Sequence, residues 1–335
     1  LKIAILVEFG ENPTMTEASA QSGPLTKERH VRVVGVPMDI GGAGPGASGG
    51  PEGVREAGLL RAIGAGVLDL GDINVESLDA SLKIVRGPDP ESTRPEWPLI
   101  QRVCASLCER VESIVTEGHF PLVVGGDHAL AVGSMAGVAR AFRASGRPVP
   151  GLIWFDAHGD LNTPNTSPSG NPHGMPAAAL LGYGVPSFDN VIGPDGFFDR
   201  SRSAFVGCRD LDDGEKTRFN DSGPHLFGDD RFRNERPEDL ADRVLDLVAP
   251  NGAPFALSFD IDVLDPVHAP GVNLPVDKGL DPDTVRRVLR RFADHGGMIA
   301  MDVVEVDPTS DRDGVTAGLA VELTGVALGT SIVSA

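Results

Sequence analysis

Eight short apolar runs, alternating with longer amphipathic stretches, constrain this chain more than any other feature. The runs are VRVVGVP (31–37), GVLDL (66–70), PLVVGG (121–126), GLIWFD (151–156), SAFVGC (203–208), PHLFG (224–228), FALSFD (255–260) and MIAMDVVEV (298–306). Strands with unbroken apolar character are buried on both faces, and their alternation with helices implies a mostly parallel sheet. The helix-like stretches are 51–63, 98–117, 130–143, 236–248, 281–294 and 314–329. The expected class is therefore α/β. No tandem repeat divides the chain. The turn-rich stretch 79–98 is the nearest thing to a linker, but the alternation runs across it, so residues 30–335 are expected to form one domain. Residues 10–28 are polar and turn-rich, and 1–29 are read as a flexible N-terminal arm. The apolar segment Leu1–Phe9 is far shorter than the roughly 20 residues of a membrane span and lacks a signal-peptide cleavage pattern.

The formal net charge of −19 argues against nucleic acid or an anionic membrane as the main partner. An odd set of cysteines, Cys104, Cys108 and Cys208, provides no disulfide framework and suggests a reducing, cytoplasmic compartment. Cys104 and Cys108 lie one helical turn apart, with no second thiol pair to complete a zinc set, and read as ordinary helix residues.

The glycine-rich loop Gly41–Gly50 contains Gly44-x-Gly46-x-x-Gly49, formally a dinucleotide fingerprint, with Asp69 at about the expected distance beyond. Several residues separate it from the strand end, however, and Pro45 and Pro51 stiffen a turn whose amides would have to face a pyrophosphate. A phosphate loop fails because no Lys-Ser/Thr follows the glycines.

The chemistry concentrates at three strand ends: Gly125-Gly126-Asp127-His128, Asp156-Ala157-His158-Gly159-Asp160, and Asp260-Ile261-Asp262. Residues two apart on an extended chain point the same way, so Asp156, His158 and Asp160 are expected on one side, as are Asp260 and Asp262. In an open α/β sheet the carboxyl ends of the strands form the ligand crevice. Four crowded aspartates would resist ionisation unless divalent cations joined them. A set rich in carboxylate with some imidazole suits Mn²⁺, with Fe, Co or Zn also possible. Two such ions about 3.5–4 Å apart can share a water and lower its pKa toward neutrality.

These residues resemble the ureohydrolase family, which includes arginase and agmatinase. GGDHAL (125–130), DAHGDLN (156–162) and SFDIDVLDP (258–266) are similar to its three metal signatures, in order, and the likeness extends through EAGLL (56–60), residues 201–215 and MDVVEVDP (301–308). The resemblance implies a three-layer αβα domain, often assembled as homotrimers or homohexamers. It implies two Mn²⁺ per chain, one held by His128, Asp156, Asp160 and Asp260 and the other by His158, Asp156, Asp260 and Asp262. The segment LNTPNTSPSGNPHGMP (161–176) looks like the arginase loop. By that likeness Asn162, Ser167 and Ser169 meet an α-carboxylate, Asp212 lies near an α-amino group, and Glu305 holds the guanidinium. A carboxylate suits that task, because guanidinium keeps its charge and pairs bidentately. Asp160 would relay a proton to the leaving nitrogen and His173 would exchange protons with solvent. The implied reaction is hydrolysis of L-arginine to L-ornithine and urea. The alternatives are another guanidino substrate, such as agmatine or guanidinobutyrate, or a catalytically silent relative that binds metal or amino acid. One departure bears on the choice: GVNLP (271–275) stands where relatives carry a GTGTP-like run, so Leu274 replaces a threonine.

Overall fold

A computed structural model of the chain describes residues 30–86, 96–221 and 223–330. The expected arm at 1–29 and residues 87–95 of the turn-rich stretch lie outside the described residues. All eight expected strands form: Val31–Val36 (β1), Leu68–Asp72 (β2), Phe120–Gly125 (β3), Gly151–Phe155 (β4), Ser203–Val206 (β5), His225–Phe227 (β6), Phe255–Asp260 (β7) and Met298–Val304 (β8). They build one sheet in the order β2-β1-β3-β8-β7-β4-β5-β6, parallel at every pairing.

Parallel neighbours require crossovers, and helices supply them. In chain order these are Gly50–Glu56 (α1), Leu59–Ile63 (α2), Val75–Arg86 (α3), Trp97–Thr116 (α4), Ala131–Ala144 (α5), Pro176–Leu180 (α6) and Asp189–Ile192 (α7). Then follow Asp213–Asn220 (α8), Asp229–Phe232 (α9), Pro237–Val248 (α10), Pro282–His295 (α11) and Val315–Ala327 (α12). Helix α11 shows why its sequence is helical. Asp281 caps it by accepting from the Thr284 N–H at 3.0 Å, and Pro282 takes the first turn, where no N–H is needed. Val285, Val288, Leu289 and Phe292 then bury one face at helical spacing. Each contributes about 1.5–3 kcal/mol of burial.

The sheet separates two cores. Along β4, Ile153 and Phe155 join the core containing α10, α11 and α12, while Leu152 and Trp154 join the one containing α4, α5 and α6. This is a three-layer αβα arrangement. Cys104 and Cys108 are buried along α4 in the second core, as ordinary helix residues. Among the described residues no helix is long and apolar enough to cross a membrane.

Three local expectations are corrected. The helix expected over 51–63 is split, because Gly58 adopts φ 101° between α1 and α2. Strand β2 begins at Leu68, because Gly66 turns the chain with φ 87°. Residues 79–86 of the turn-rich stretch are helical: Asn74 Oδ1 accepts from the Ser77 N–H at 2.9 Å, and Val75 and Leu78 pack on the core.

Candidate metal centre and active site

The four central strands, β3, β8, β7 and β4, stand side by side with their carboxyl ends level. Val124 pairs with Val303, Val303 with Phe259, and Phe259 with Phe155. The next residues along these strands therefore emerge into one crevice, and they are the ones the sequence singles out. His128 follows β3, Asp156, His158 and Asp160 follow β4, Asp260 and Asp262 end or follow β7, and Glu305 follows β8.

The mechanism of convergence differs from the extended alternation expected. The chain leaves β3, β4 and β7 through tight turns, each closed by an aspartate on the N–H two residues ahead. Asp127 Oδ1 accepts from Ala129 at 3.0 Å, Asp156 Oδ1 from His158 at 2.7 Å, and Asp260 Oδ1 from Asp262 at 2.8 Å. Beyond Asp156 the chain is no longer extended, and Asp160 sits at φ 48°. Glu305 is likewise left-handed, with φ 63°. Such backbone costs a non-glycine residue about 1–3 kcal/mol and is retained where the surroundings over-determine it.

The polar atoms gather in two groups. His128 Nδ1 lies 3.0 Å from Asp156 Oδ2, 3.0 Å from Asp160 Oδ2 and 3.1 Å from Asp260 Oδ2. His158 Nδ1 lies 2.9 Å from Asp262 Oδ2 and 3.5 Å from Asp156 Oδ1. Asp156 therefore offers one oxygen to each group. Within the sets His128–Asp156–Asp260 and Asp156–His158–Asp262, the candidate ligand atoms lie within 4.8 Å of one another.

These residues fit a metal on a structural test. His128 Nδ1 is buried and makes no hydrogen bond of proper geometry, although three carboxylate oxygens surround it. A ring nitrogen carries at most one proton and cannot satisfy three acceptors. A cation among them can. The electrostatics agree: burial, then Asp262 and Asp156, push the Asp260 carboxyl well above its usual range. Burial and Asp156 likewise raise Asp160 to about 6.

All twelve residues singled out come together. Asp156 is fully buried, and the other eleven line one pocket. Asn162 Nδ2 donates to Asp212 Oδ2 at 2.7 Å and its Oδ1 accepts from Thr166 Oγ1 at 2.9 Å. Ser167 and Ser169 place their hydroxyls 3.5 Å apart. His173 Nδ1 is 3.0 Å from Glu305 Oε1, which also accepts from the His128 N–H at 2.8 Å. Although burial opposes it, the Glu305 contact raises His173 to about 9.

Sequence reasoning missed Asp210 and Glu215 as lining residues. Glu215 Oε1 accepts from the Leu161 N–H and Oε2 from the Asp212 N–H, each at 2.9 Å, so it ties the loop after β4 to the start of α8. Burial raises it to about 7. Its signal was an acidic residue closing the CRDLDDGE run (208–215), three positions after Asp212. Among the described residues, Leu274 is the single apolar side chain lining the pocket. At the start of the glycine loop, Gly41 donates its N–H to Asp127 and accepts from the His173 N–H, each at 2.9 Å.

The family model described as "Arginase family" matches residues 29–329. An arginase of Brevibacillus brevis is 36% identical over 310 residues, covering 91% of this chain and 99% of that protein. Among solved structures, the native arginase of Bacillus caldovelox superimposes with a TM-score of 0.81 at 32% identity, over 91% of this chain and 100% of that one. A hypothetical agmatinase of Burkholderia thailandensis gives a TM-score of 0.67 at 25% identity, over 90% of this chain and 85% of that one.

Proposed function

The chain belongs to the arginase family of metal-dependent hydrolases, and from that premise we propose that it cleaves L-arginine to L-ornithine and urea with two Mn²⁺ ions. The observation that carries this reading is a single pocket lined by two unlike sets of residues. One set is His128, His158, Asp160, Asp260 and Asp262, with Asp156 buried among them; the other is Asn162, Ser167, Ser169 and Asp212. The first set suits a pair of cations, and the second matches the two charged groups of an α-amino acid.

His128, Asp156, Asp160 and Asp260 would hold one ion, and His158, Asp156, Asp260 and Asp262 the other. When bound, such a pair supplies Lewis acidity and a water acidified to near neutrality. The remaining work falls to the chain. Glu305, anchored through Oε1, pairs with the guanidinium through its second oxygen and sets the guanidinium carbon above the pocket floor. Ser167, Ser169 and Asn162 donate to the α-carboxylate, and Asp212 pairs with the α-ammonium. Asp160 takes a proton and hands it to the departing nitrogen. His173, which lines the pocket beside Glu305, returns a proton to bulk water. We read residues 30–335 as one catalytic unit, assembling as a homotrimer or homohexamer in the cytoplasm; three free thiols support that compartment.

Urea release from L-arginine, agmatine and 4-guanidinobutyrate, each with added Mn²⁺, tests the substrate. A site built to hydrogen-bond the α-groups should favour arginine by about a hundredfold or more in kcat/KM. Agmatine turning over as well as arginine would sink the arginine assignment, and the single apolar wall at Leu274 would then be the first place to seek the reason. His173→Ala should lower kcat by about a hundredfold while leaving both ions in place by metal analysis. Unchanged turnover would remove His173 from the proton path.

A further inference from the structure

A sheet covered on both faces has little room for polar side chains, because an unpaired one costs about 1–3 kcal/mol. Two residues break that pattern in the central strands. Ser258 of β7 and Asp302 of β8 are direct cross-strand neighbours, fully buried, and neither lines the pocket. They lie on the α5 side of the sheet, in a row that runs Trp154, Ser258, Asp302, Val123 across four strands. The outer members of that row are apolar.

The hydrogen bonds of this pair have a direction. Ser258 Oγ donates to Asp302 Oδ1 at 2.7 Å, and Ser134 of α5 donates to Asp302 Oδ2. A hydroxyl has one proton to give. Ser258 Oγ must therefore accept in its other contact, from His128 Nε2 at 2.8 Å. That places a proton on Nε2 and leaves a lone pair on Nδ1, the atom surrounded by Asp156, Asp160 and Asp260. The indole of Trp154 stacks on the imidazole with centroids 4.2 Å apart and planes 12° apart, which holds the ring in its plane but leaves its tautomer undetermined.

We propose that Ser134, Asp302 and Ser258 form a buried positioning relay that fixes the tautomer and aim of His128, so that Nδ1 is a ready ligand. Asp302 and Ser258 touch neither substrate nor ion; they act through His128. A carboxylate at the far end strengthens the chain of donors and makes the ligating nitrogen more basic. The relay rests on the binuclear reading of the pocket, and it accounts for the only two interior positions where these central strands carry a buried hydroxyl and a buried carboxylate.

Mn²⁺ titration of the full chain against a competing chelator, for Ser258→Ala and Asp302→Asn, tests it. Both variants should bind one of the two ions about 10–100-fold more weakly than wild type. The other ion should stay within about threefold. The double variant should lose no more than Ser258→Ala alone, because Asp302 reaches His128 only through Ser258. A second readout is independent of turnover. In the Zn²⁺-loaded protein labelled with ¹⁵N-histidine, His128 should show a slowly exchanging Nε2–H proton at low field. That signal should be lost in Ser258→Ala and move upfield in Asp302→Asn. If Asp302→Asn does not fold, Ser258→Ala, a smaller residue at a strand position, carries the test alone. Wild-type affinity for both ions in the variants, additive losses in the double variant, or a His128 protonated on Nδ1 would each overturn the relay. A wild-type chain that binds no ion would instead overturn the reading of the pocket, and the relay with it.

Discussion

Asp260→Asn should abolish urea release while leaving the fold intact. Asp260 is buried at the end of β7, with Oδ2 3.1 Å from His128 Nδ1 and Oδ1 accepting from the Asp262 N–H. Asparagine has nearly the same shape and retains an acceptor for that turn. It removes a charge from the centre of the crevice and brings an amide N–H₂ group to where a cation needs an oxygen. The expected result is loss of at least one bound ion and a fall in kcat/KM of at least a thousandfold, about 4 kcal/mol of transition-state stabilisation. A control is built into the site. Burial and two neighbouring carboxylates already disfavour the charged form of Asp260, so the metal-free variant should melt no lower than metal-free wild type. Lost activity with an unchanged or higher melting temperature would locate the defect in the centre rather than in the fold. A variant with both ions present and more than about a tenth of the activity would refute the role assigned to Asp260.

Exhaustive chelation should lower the melting temperature by roughly 10 °C or more. An ion that binds only the folded chain stabilises it by about 4 kcal/mol when present at a thousandfold its Kd, and two ions contribute more. At about 2 °C per kcal/mol for a large domain, the shift is well within the reach of calorimetry. Removal also exposes the interactions that the metals mask. Asp156, Asp160 and Asp260 then face one another across His128 alone, and repulsion among buried carboxylates adds to the loss. Melting in excess chelator, followed by return of Mn²⁺, checks both the size and the reversibility of the effect. An identical melting temperature with and without metal would mean that the two His/Asp groups hold no structural cation.

The sequence revealed more of the site than of its construction. His128, Asp156, His158, Asp160, Asp260 and Asp262 could be selected because strand-end Asp-x-His-x-Asp and Asp-x-Asp patterns have few structural uses, and all six meet in one crevice. Asn162, Ser167, Ser169 and Asp212 are common loop residues taken singly, and only a family resemblance drew attention to them; they line the same pocket. The side chains do not converge by the extended alternation that the sequence spacing suggests. Tight aspartate turns, with Asp160 and Glu305 in left-handed backbone, aim the side chains where extended strands would not. Turn geometry of this kind depends on what the loop packs against. Glu215 and Asp302 escaped notice for a similar reason. One reads as a surface acid and the other as a blemish in an apolar run, until their partners across the fold are known.

By itself the chain's pattern of residues determined that a parallel sheet would form between helices, and it determined the chemistry of the donors, because periodicity and residue type are local properties. The tertiary structure alone decided that β3, β8, β7 and β4 would be neighbours. Strand order and register come from long-range packing of two cores against one sheet, and no short stretch of sequence records which strand will lie beside which. That order brings residues 128, 156, 260 and 305 into one crevice, and it places Ser258 beside Asp302 beneath the histidine they orient.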